Sequence, residues 1–344
     1  MLPALWALRD AYPKANICLV SQAEQGGAFI ASSEVLEGTG LVTSFEKLVV
    51  SGPRLARWLN RLYLICRMRR VKWDLGIALM PNYPPGNIEL FRVLKKYLWY
   101  FGCHEVLAPS KIINFQRVAG KLQSLPHAAD NMLSSLQHVG VQIPPQQAGK
   151  FFMPARQTEA RWAKDYATQH TDAQAAGLIA VAVSANRAAN IWPVGRYIKV
   201  LQSLWLQYRV VPVFFGGSDL KLALDTCFPP DLPHIICAGE SIGRVSELAR
   251  RCLIYLGNDT GLMHVSVAVG LKCVVIASAR DAPGAWAPYG EGHRLLRSNV
   301  ECEGCLLDLC VEHKSKCMTM ITVKEVTRAC ESLLEQTLRN SDVL

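Results

Sequence analysis

The stretch from Cys252 to Ala277 constrains the fold most. Leu253 to Leu256 is a short apolar run of the kind that forms a buried strand. It is followed by Gly257-Asn258-Asp259-Thr260-Gly261-Leu262-Met263-His264, by the small apolar run Val265 to Val269, and by Gly270, where a helix stops. Cys273 to Ala277 reads as the next strand. Strand, tight polar loop, helix and strand make one unit of a parallel sheet. Asp259-Thr260-Gly261 falls at the helix start, where Asp and Thr can cap and Gly allows close backbone approach. The first amides of a helix lack internal partners and carry the positive end of its dipole, so a phosphate is a natural ligand there. The plain alternative is an ordinary capped helix in an α/β fold.

The rest of the chain repeats this alternation. Helices are expected at Leu2–Tyr12, Ile88–Tyr100, Thr158–Gln169, Val194–Tyr208 and Ile242–Cys252. Strands are expected at Ala15–Val20, Trp73–Met80, Leu178–Ser184, Val210–Phe215 and Ile235–Cys237. Such alternation predicts parallel sheets wrapped by helices. At 344 residues the chain fits two domains. The three prolines from Gln142 to Pro154 mark the linker, giving domains at 1–150 and 151–344, and the turn-rich stretch from Pro81 to Gly86 closes one strand of the first. Ligands of open α/β sheets sit beyond the carboxyl ends of the strands. Three such ends in the second half carry polar or glycine-rich loops, Ser184–Asn190, Gly216–Asp219 and Gly257–Gly261, and they should converge.

No apolar run approaches the roughly 18 residues that span a bilayer, and Met1 to Pro13 is a poor signal peptide. The 12 cysteines then point to a reducing compartment. The net charge of +9 points to an anionic partner. Between Arg54 and Lys72 there are seven basic residues and no acidic one, interleaved with Leu55, Trp58, Leu59, Leu62, Ile65 and Cys66 at helical spacing. Lys95 to Tyr100 is a second basic-aromatic stretch. A basic amphipathic helix suits an anionic membrane surface or a phosphorylated substrate, or is simply solvated. No zinc-finger, RNP or homeodomain pattern accompanies the charge, so nucleic acid is not the expected partner.

Cys302, Cys305, Cys310 and Cys317 are spaced C-x2-C-x4-C-x6-C. Four thiolates at this spacing can close a tetrahedral structural zinc site, with His313 as a spare ligand. Free thiols, two disulfides and an iron–sulfur cluster stay open as alternatives. A catalytic metal is not expected, because four protein ligands leave no open position. The remaining cysteines lie in apolar segments and should pack as small hydrophobes.

The block Gly257 to His264 resembles the central motif of glycosyltransferase family 9, best known for ADP-heptose:lipopolysaccharide heptosyltransferases. The onward spacing also fits, through Gly270, Arg280-Asp281-Ala282-Pro283 and Trp286-Ala287-Pro288-Tyr289-Gly290 to the cysteine cluster. So does the loop that leads to Trp192-Pro193. The resemblance implies two Rossmann-like domains facing a cleft (GT-B type), an acceptor-side first domain, a donor-side second domain, and inverting transfer with no cofactor required. It implies a donor site at Ser184, Asn186, Arg187, Asn190, Gly216, Asp259, Thr260, Gly261, Leu262, Met263 and His264. Asp259 would contact the donor sugar, Thr260 and His264 the diphosphate region, and the amides of residues 260–263 the leaving diphosphate. Where some members carry a Lys before Trp-Pro, this chain has Asn190, with Arg187 nearby to supply charge. The family's proposed base is an Asp in a Gly-Asp loop after a first strand. This sequence begins at the following helix, so the resemblance assigns no catalytic residue here. The implied setting is the cytoplasmic face of a bacterial inner membrane, with a nucleotide-sugar donor and a glycolipid or glycan acceptor. A non-enzymatic nucleotide-sugar-binding relative and a sugar-nucleotide epimerase are the competing readings; an epimerase would need no acceptor.

Overall fold

The computed structural model describes residues 1–23, 32–81, 88–108, 113–137, 141 and 151–341. Residues 142–150 of the expected linker (Gln142–Pro154) and 82–86 of the expected turn (Pro81–Gly86) lie outside the described residues. Contacts divide the chain into two units, Met1–Arg117 with Pro126–Lys150, and Val118–Leu125 with Phe151–Leu344.

The first unit is α/β. It contains α1 (Leu2–Ala11), β1 (Cys18–Ala23), α2 (Ser32–Leu36), β2 (Ser44–Val49), α3 (Arg54–Met68), β3 (Leu75–Ile77), α4 (Ile88–Tyr100) and β4 (Glu105–Leu107). Its strands form two parallel pairs, β1 with β2 and β3 with β4. The first strand begins at Cys18 rather than Ala15. The Arg9 guanidinium binds the Ala15 carbonyl, and Ile17 N–H donates to Thr43 Oγ1, so residues 15–17 are tied off before the ladder starts. The strand expected over 73–80 shortens to three residues, because Trp73 Nε1 donates to the Met68 carbonyl and holds its start against the end of α3.

A minimal hairpin, β5 (Arg117–Val118) and β6 (Lys121–Leu122), turns on Ala119 and Gly120. Both have positive φ, 49° and 79°, as a two-residue turn of the I′ type requires. The segment after it packs with the second unit. Leu122 N–H is received by the Glu303 carboxylate and Leu125 N–H by the Pro283 carbonyl. Then α5 (Ala128–Gln137) returns to the first unit, where Leu133 and Leu136 pack on Ala4 and Ala7 of α1.

The second unit is built on one six-stranded parallel sheet. Its elements are α6 (Gln157–His170), β7 (Gly177–Ala182), α7 (Val194–Tyr208), β8 (Val210–Gly216), α8 (Leu220–Asp225), β9 (Ile235–Ala238), α9 (Ile242–Ala249), β10 (Cys252–Asn258), α10 (Gly261–Ala268), β11 (Lys272–Ala277), β12 (Arg294–Arg297), α11 (Lys316–Thr319) and α12 (Val323–Ser341). The strand order is β12-β11-β10-β7-β8-β9. From β7 the chain winds one way to β8 and β9, then crosses to the other side for β10. The topological switch point therefore lies between β7 and β10, where an open sheet holds its ligand. Fully buried Val181, Leu256, Ile276, Leu204 and Leu334 form the core between the sheet and α7 and α12. Helix α9 ends at Ala249, earlier than expected, because Cys252 already pairs with Leu178 as the first residue of β10.

Candidate functional site

The carboxyl ends of β7, β10 and β11 carry three loops, and buried hydrogen bonds lock them together. Asn258, the last residue of β10, is completely buried. Its Oδ1 accepts from Trp192 N–H (3.0 Å) and from the Tyr197 hydroxyl (2.9 Å), and its Nδ2 donates to the Val183 carbonyl (2.9 Å). One side chain thus ties the β10 end to both ends of the loop after β7. On the other side, Ser278 Oγ donates to Asn190 Oδ1 at 2.7 Å, joining the β7 loop to the β11 loop. Gly257 makes this geometry reachable. A Cβ there would stand 2.7 Å from the Ala182 carbonyl oxygen and would collide with the Tyr255 ring, whose hydroxyl donates to the Asn258 carbonyl.

Helix α10 starts at Gly261 with Thr260 as its N-cap. The expectation that Thr260 caps with its side chain is not met. Its Oγ1 is buried beside the Tyr255 hydroxyl and makes no hydrogen bond of ordinary geometry, and φ −144° with ψ 172° shows extended backbone at the cap. Of the four amides expected to face a diphosphate, that of Met263 is taken by the Thr260 carbonyl at 3.1 Å. The amides of Thr260, Gly261 and Leu262 stand at the open end of the helix. Met263 itself is a core side chain. His264 is half-buried, with its ring centroid 6.4 Å from Phe151 and 6.5 Å from Trp286, and Phe151 stacks on Tyr289.

Asp259 lines a cavity with Asp281, Ser278, Trp286 and Arg297. Burial raises its carboxyl from 3.8 to about 7. The nearby Asp281 pushes the same way, and Arg280 and Arg187 oppose both. A neutral carboxyl can donate a hydrogen bond, and one poised near neutrality can also hold or release a proton.

Ser184, Asn186 and Arg187 are exposed at the end of β7, whereas Asn190 is buried on Ser278. Gly216 ends β8 at the same sheet edge, next to β7. Its carbonyl accepts Gly239 N–H, and a Cβ there would meet Leu220 at 2.8 Å. Arg187 is engaged as well: its Nε binds Asp308 Oδ1 at 2.7 Å.

Sequence reading missed the brace beneath these loops. Arg280 is buried; it pairs with Asp281 (2.8 Å), and its other nitrogens reach the Leu306 and Leu307 carbonyls (2.6 and 2.8 Å) and Asp308. Asp308 also receives Ala189 N–H on its backbone carbonyl. Glu303, buried among the cysteines, pairs with Arg297 at 3.1 Å. Arg280-Asp281 stood in the quoted motif, but nothing in its neighbourhood told which distant carbonyls it would satisfy.

Cys302, Cys305, Cys310 and Cys317 line one small cavity together with His313. Burial raises the Cys302 thiol, and the other three thiols raise it further, so the four lie within electrostatic reach of one another. All four are free thiols. Among the described residues, no group of three or more His, Cys, Asp or Glu side chains is gathered closely enough to hold a metal ion.

The family model of glycosyltransferase family 9 (heptosyltransferase) matches residues 143–316. No curated protein matches the sequence. Among solved structures, a family 9 glycosyl transferase from Veillonella parvula DSM 2008 is 20% identical with a TM-score of 0.72, over 97% of this chain and 92% of that one. The E. coli ADP-heptose lps heptosyltransferase II is 15% identical with a TM-score of 0.67, over 97% and 94%. E. coli heptosyltransferase WaaC with ADP is 14% identical with a TM-score of 0.59, over 96% and 94%. These likenesses share the two-domain Rossmann-like fold, and the family match covers the switch-point loops and the cysteine cluster: the chain belongs to glycosyltransferase family 9.

Proposed function

We propose that this protein transfers a heptose or related sugar from an ADP-linked donor, with inversion, to a lipopolysaccharide-type or other glycan acceptor. The observation that carries the reading is the Asn258 hub. It fixes the β7 loop against the head of α10 at the switch point, where the amides of Thr260, Gly261 and Leu262 can receive a diphosphate. Positive charge from a helix end and neighbouring arginines would stabilise the leaving diphosphate as its charge develops. Asp259 would bind a sugar hydroxyl, donating when neutral and accepting when ionised. The ADP nucleotide is favoured because E. coli WaaC was solved with ADP and with ADP-2-deoxy-2-fluoro heptose. A lipid-linked acceptor would bring the protein to the inner face of a bacterial inner membrane.

In the same reading, the cysteine loop takes a structural zinc. Residues 301–317 have almost no apolar core of their own, with Leu307, Leu309 and Val311 exposed. Four cysteines lining one cavity supply the residue types a tetrahedral zinc site uses, although their thiols would have to draw closer to bind one, and a loop this poor in core gains most from such a cross-link.

Calorimetry with ADP, ADP-heptose, and UDP- and GDP-sugars tests the donor. Micromolar binding of the adenine compounds alone, followed by transfer to a heptose-free lipopolysaccharide core, is expected. Preference for a uridine or guanosine donor would overturn the ADP assignment.

A further inference from the structure

Helix α3 wears its amphipathicity inside out. Its core side is thin: Leu64 and Met68 are buried, and Asn60 spends its amide on Val49 N–H and the Lys47 carbonyl. The opposite, solvent side carries Leu55, Trp58, Leu59, Leu62 and Tyr63, exposed by 40–66%. Positions 55, 58, 59 and 62 fall on one stripe of a 3.6-residue helix. A row of large apolar side chains on the solvent face is the reverse of what a solvated helix shows.

Charge frames this stripe. Arg54 and Arg61 flank it on one side and Arg70 follows just past the helix end, and all three are exposed. The neighbouring α4 extends it. Arg61 lies 5.8 Å from the Tyr97 ring, Arg69 Nε donates to the Tyr100 carbonyl, and Trp99 stands 60% exposed beyond Lys95 and Lys96. Two acids of this unit are matched by arginines, Glu46 by Arg67 and Glu89 by Arg92. No helix among the described residues is long and apolar enough to cross a membrane.

We propose that the solvent face of α3, continued by Trp99 of α4, docks on the surface of an anionic lipid bilayer. Trp58, Leu59 and Leu62 enter the headgroup boundary while Arg54, Arg61 and Arg70 meet lipid phosphates. A soluble phosphate could use the arginines but not the apolar stripe between them; a lipid interface uses both. This deepens the reading of a lipid-linked acceptor, yet it stands on the surface of the first unit alone.

Flotation of the full chain with vesicles tests it. Phosphatidylcholine alone is compared with phosphatidylcholine containing about one-third phosphatidylglycerol. Binding at least about tenfold tighter to the anionic vesicles is expected, weakening as salt shortens the Debye length. Arg54→Ala with Arg70→Ala should cost roughly twenty-five-fold, at about fivefold per basic residue. Trp58→Glu with Leu62→Glu should abolish binding, while thermal unfolding and ADP titration of the same sample stay unchanged, since these side chains contact solvent. Equal binding to neutral vesicles overturns the proposal, as does a Trp58→Glu, Leu62→Glu variant that still floats. So does a concentration-dependent dimer that those substitutions dissociate, with no vesicle binding. Failure to bind ADP would count against the donor reading and leave the flotation result standing.

Discussion

Replacing Asn258 with Ala is the sharpest probe of the second unit. The substitution strands three buried groups at once: Trp192 N–H, the Tyr197 hydroxyl and the Val183 carbonyl. Each orphaned buried polar group costs about 1–3 kcal/mol. The loop can relax and water can enter beside one of them, so the lower half of that range applies, for a total of about 3–6 kcal/mol. That is a large share of the roughly 5–15 kcal/mol that holds a domain together. At about 2–4 °C per kcal/mol for a unit of this size, the midpoint should fall by roughly 6–24 °C. Urea unfolding followed by tryptophan emission reads the loss directly, because Trp192 is fully buried and its indole donates to the Ile321 carbonyl. Calorimetry on the surviving folded fraction should show ADP affinity reduced by about tenfold or more, since Asn258 positions the β7 loop without itself standing at the open helix end. A loss below about 1 kcal/mol at unchanged m-value would refute the hub argument.

Three further outcomes follow from the same geometry. The Asp259 carboxyl titrates near 7 in the folded chain against 3.8 ordinarily. The folded state therefore keeps a proton that the unfolded chain releases, so this contribution to stability is complete below about pH 4 and is lost as pH rises through 7. Asp259→Asn should flatten that fall, measured as urea midpoints at pH 5 and pH 8, and should also remove any weakening of ADP binding above pH 7 caused by the ionised carboxylate; parallel profiles for variant and parent would refute the assignment. Gly257→Ala should destabilise by more than about 2 kcal/mol in thermal melts, because its Cβ meets backbone at Ala182, which cannot step aside as a flexible side chain can. Reduced, chelator-free protein supplied with zinc sulfate should carry about one zinc equivalent, lost on Cys305→Ser, as read by elemental analysis; metal-free protein after that treatment would establish the cluster as free thiols.

The sheet of the second unit was legible because its strands are buried on both faces. Runs such as Val210 to Phe215 and Cys273 to Ala277 announce themselves without alternation. The position of the α10 cap was legible from Asp-Thr-Gly, but the chemistry at the cap was not. Propensity offers Thr260 as a capping hydroxyl, whereas the packing of Tyr255 over Gly257 draws that hydroxyl into the core. Helix ends failed in the ordinary way. Cys252 looks like the last apolar residue of a helix and is the first of a strand, and only its pairing with Leu178 decides between them. In the first unit, the basic run from Arg54 was read as an amphipathic helix. Its periodicity could not reveal which side faces the core, because apolar side chains occupy both.

What the sequence hides most completely is the long-range brace. Asp308 meets Arg187 across 121 positions of chain, and Glu303 meets Leu122 across 181. No local pattern encodes either contact. The first joins the loop after β7 to the cysteine-bearing segment, and the second joins the end of the 117–122 hairpin to it. That segment therefore does more than fill space beside the sheet. Its backbone carbonyls at Leu306 and Leu307 occupy the buried Arg280 guanidinium, and its Asp308 holds Arg187. Both arginines oppose the upward pull that burial and Asp281 exert on Asp259. Whatever orders the segment 302–317 also sets where these two positive charges stand, and hence how readily the head of α10 accepts a second set of negative charges. The cysteine loop and the loops at the switch point are distinct motifs along the chain but one electrostatic unit in the fold.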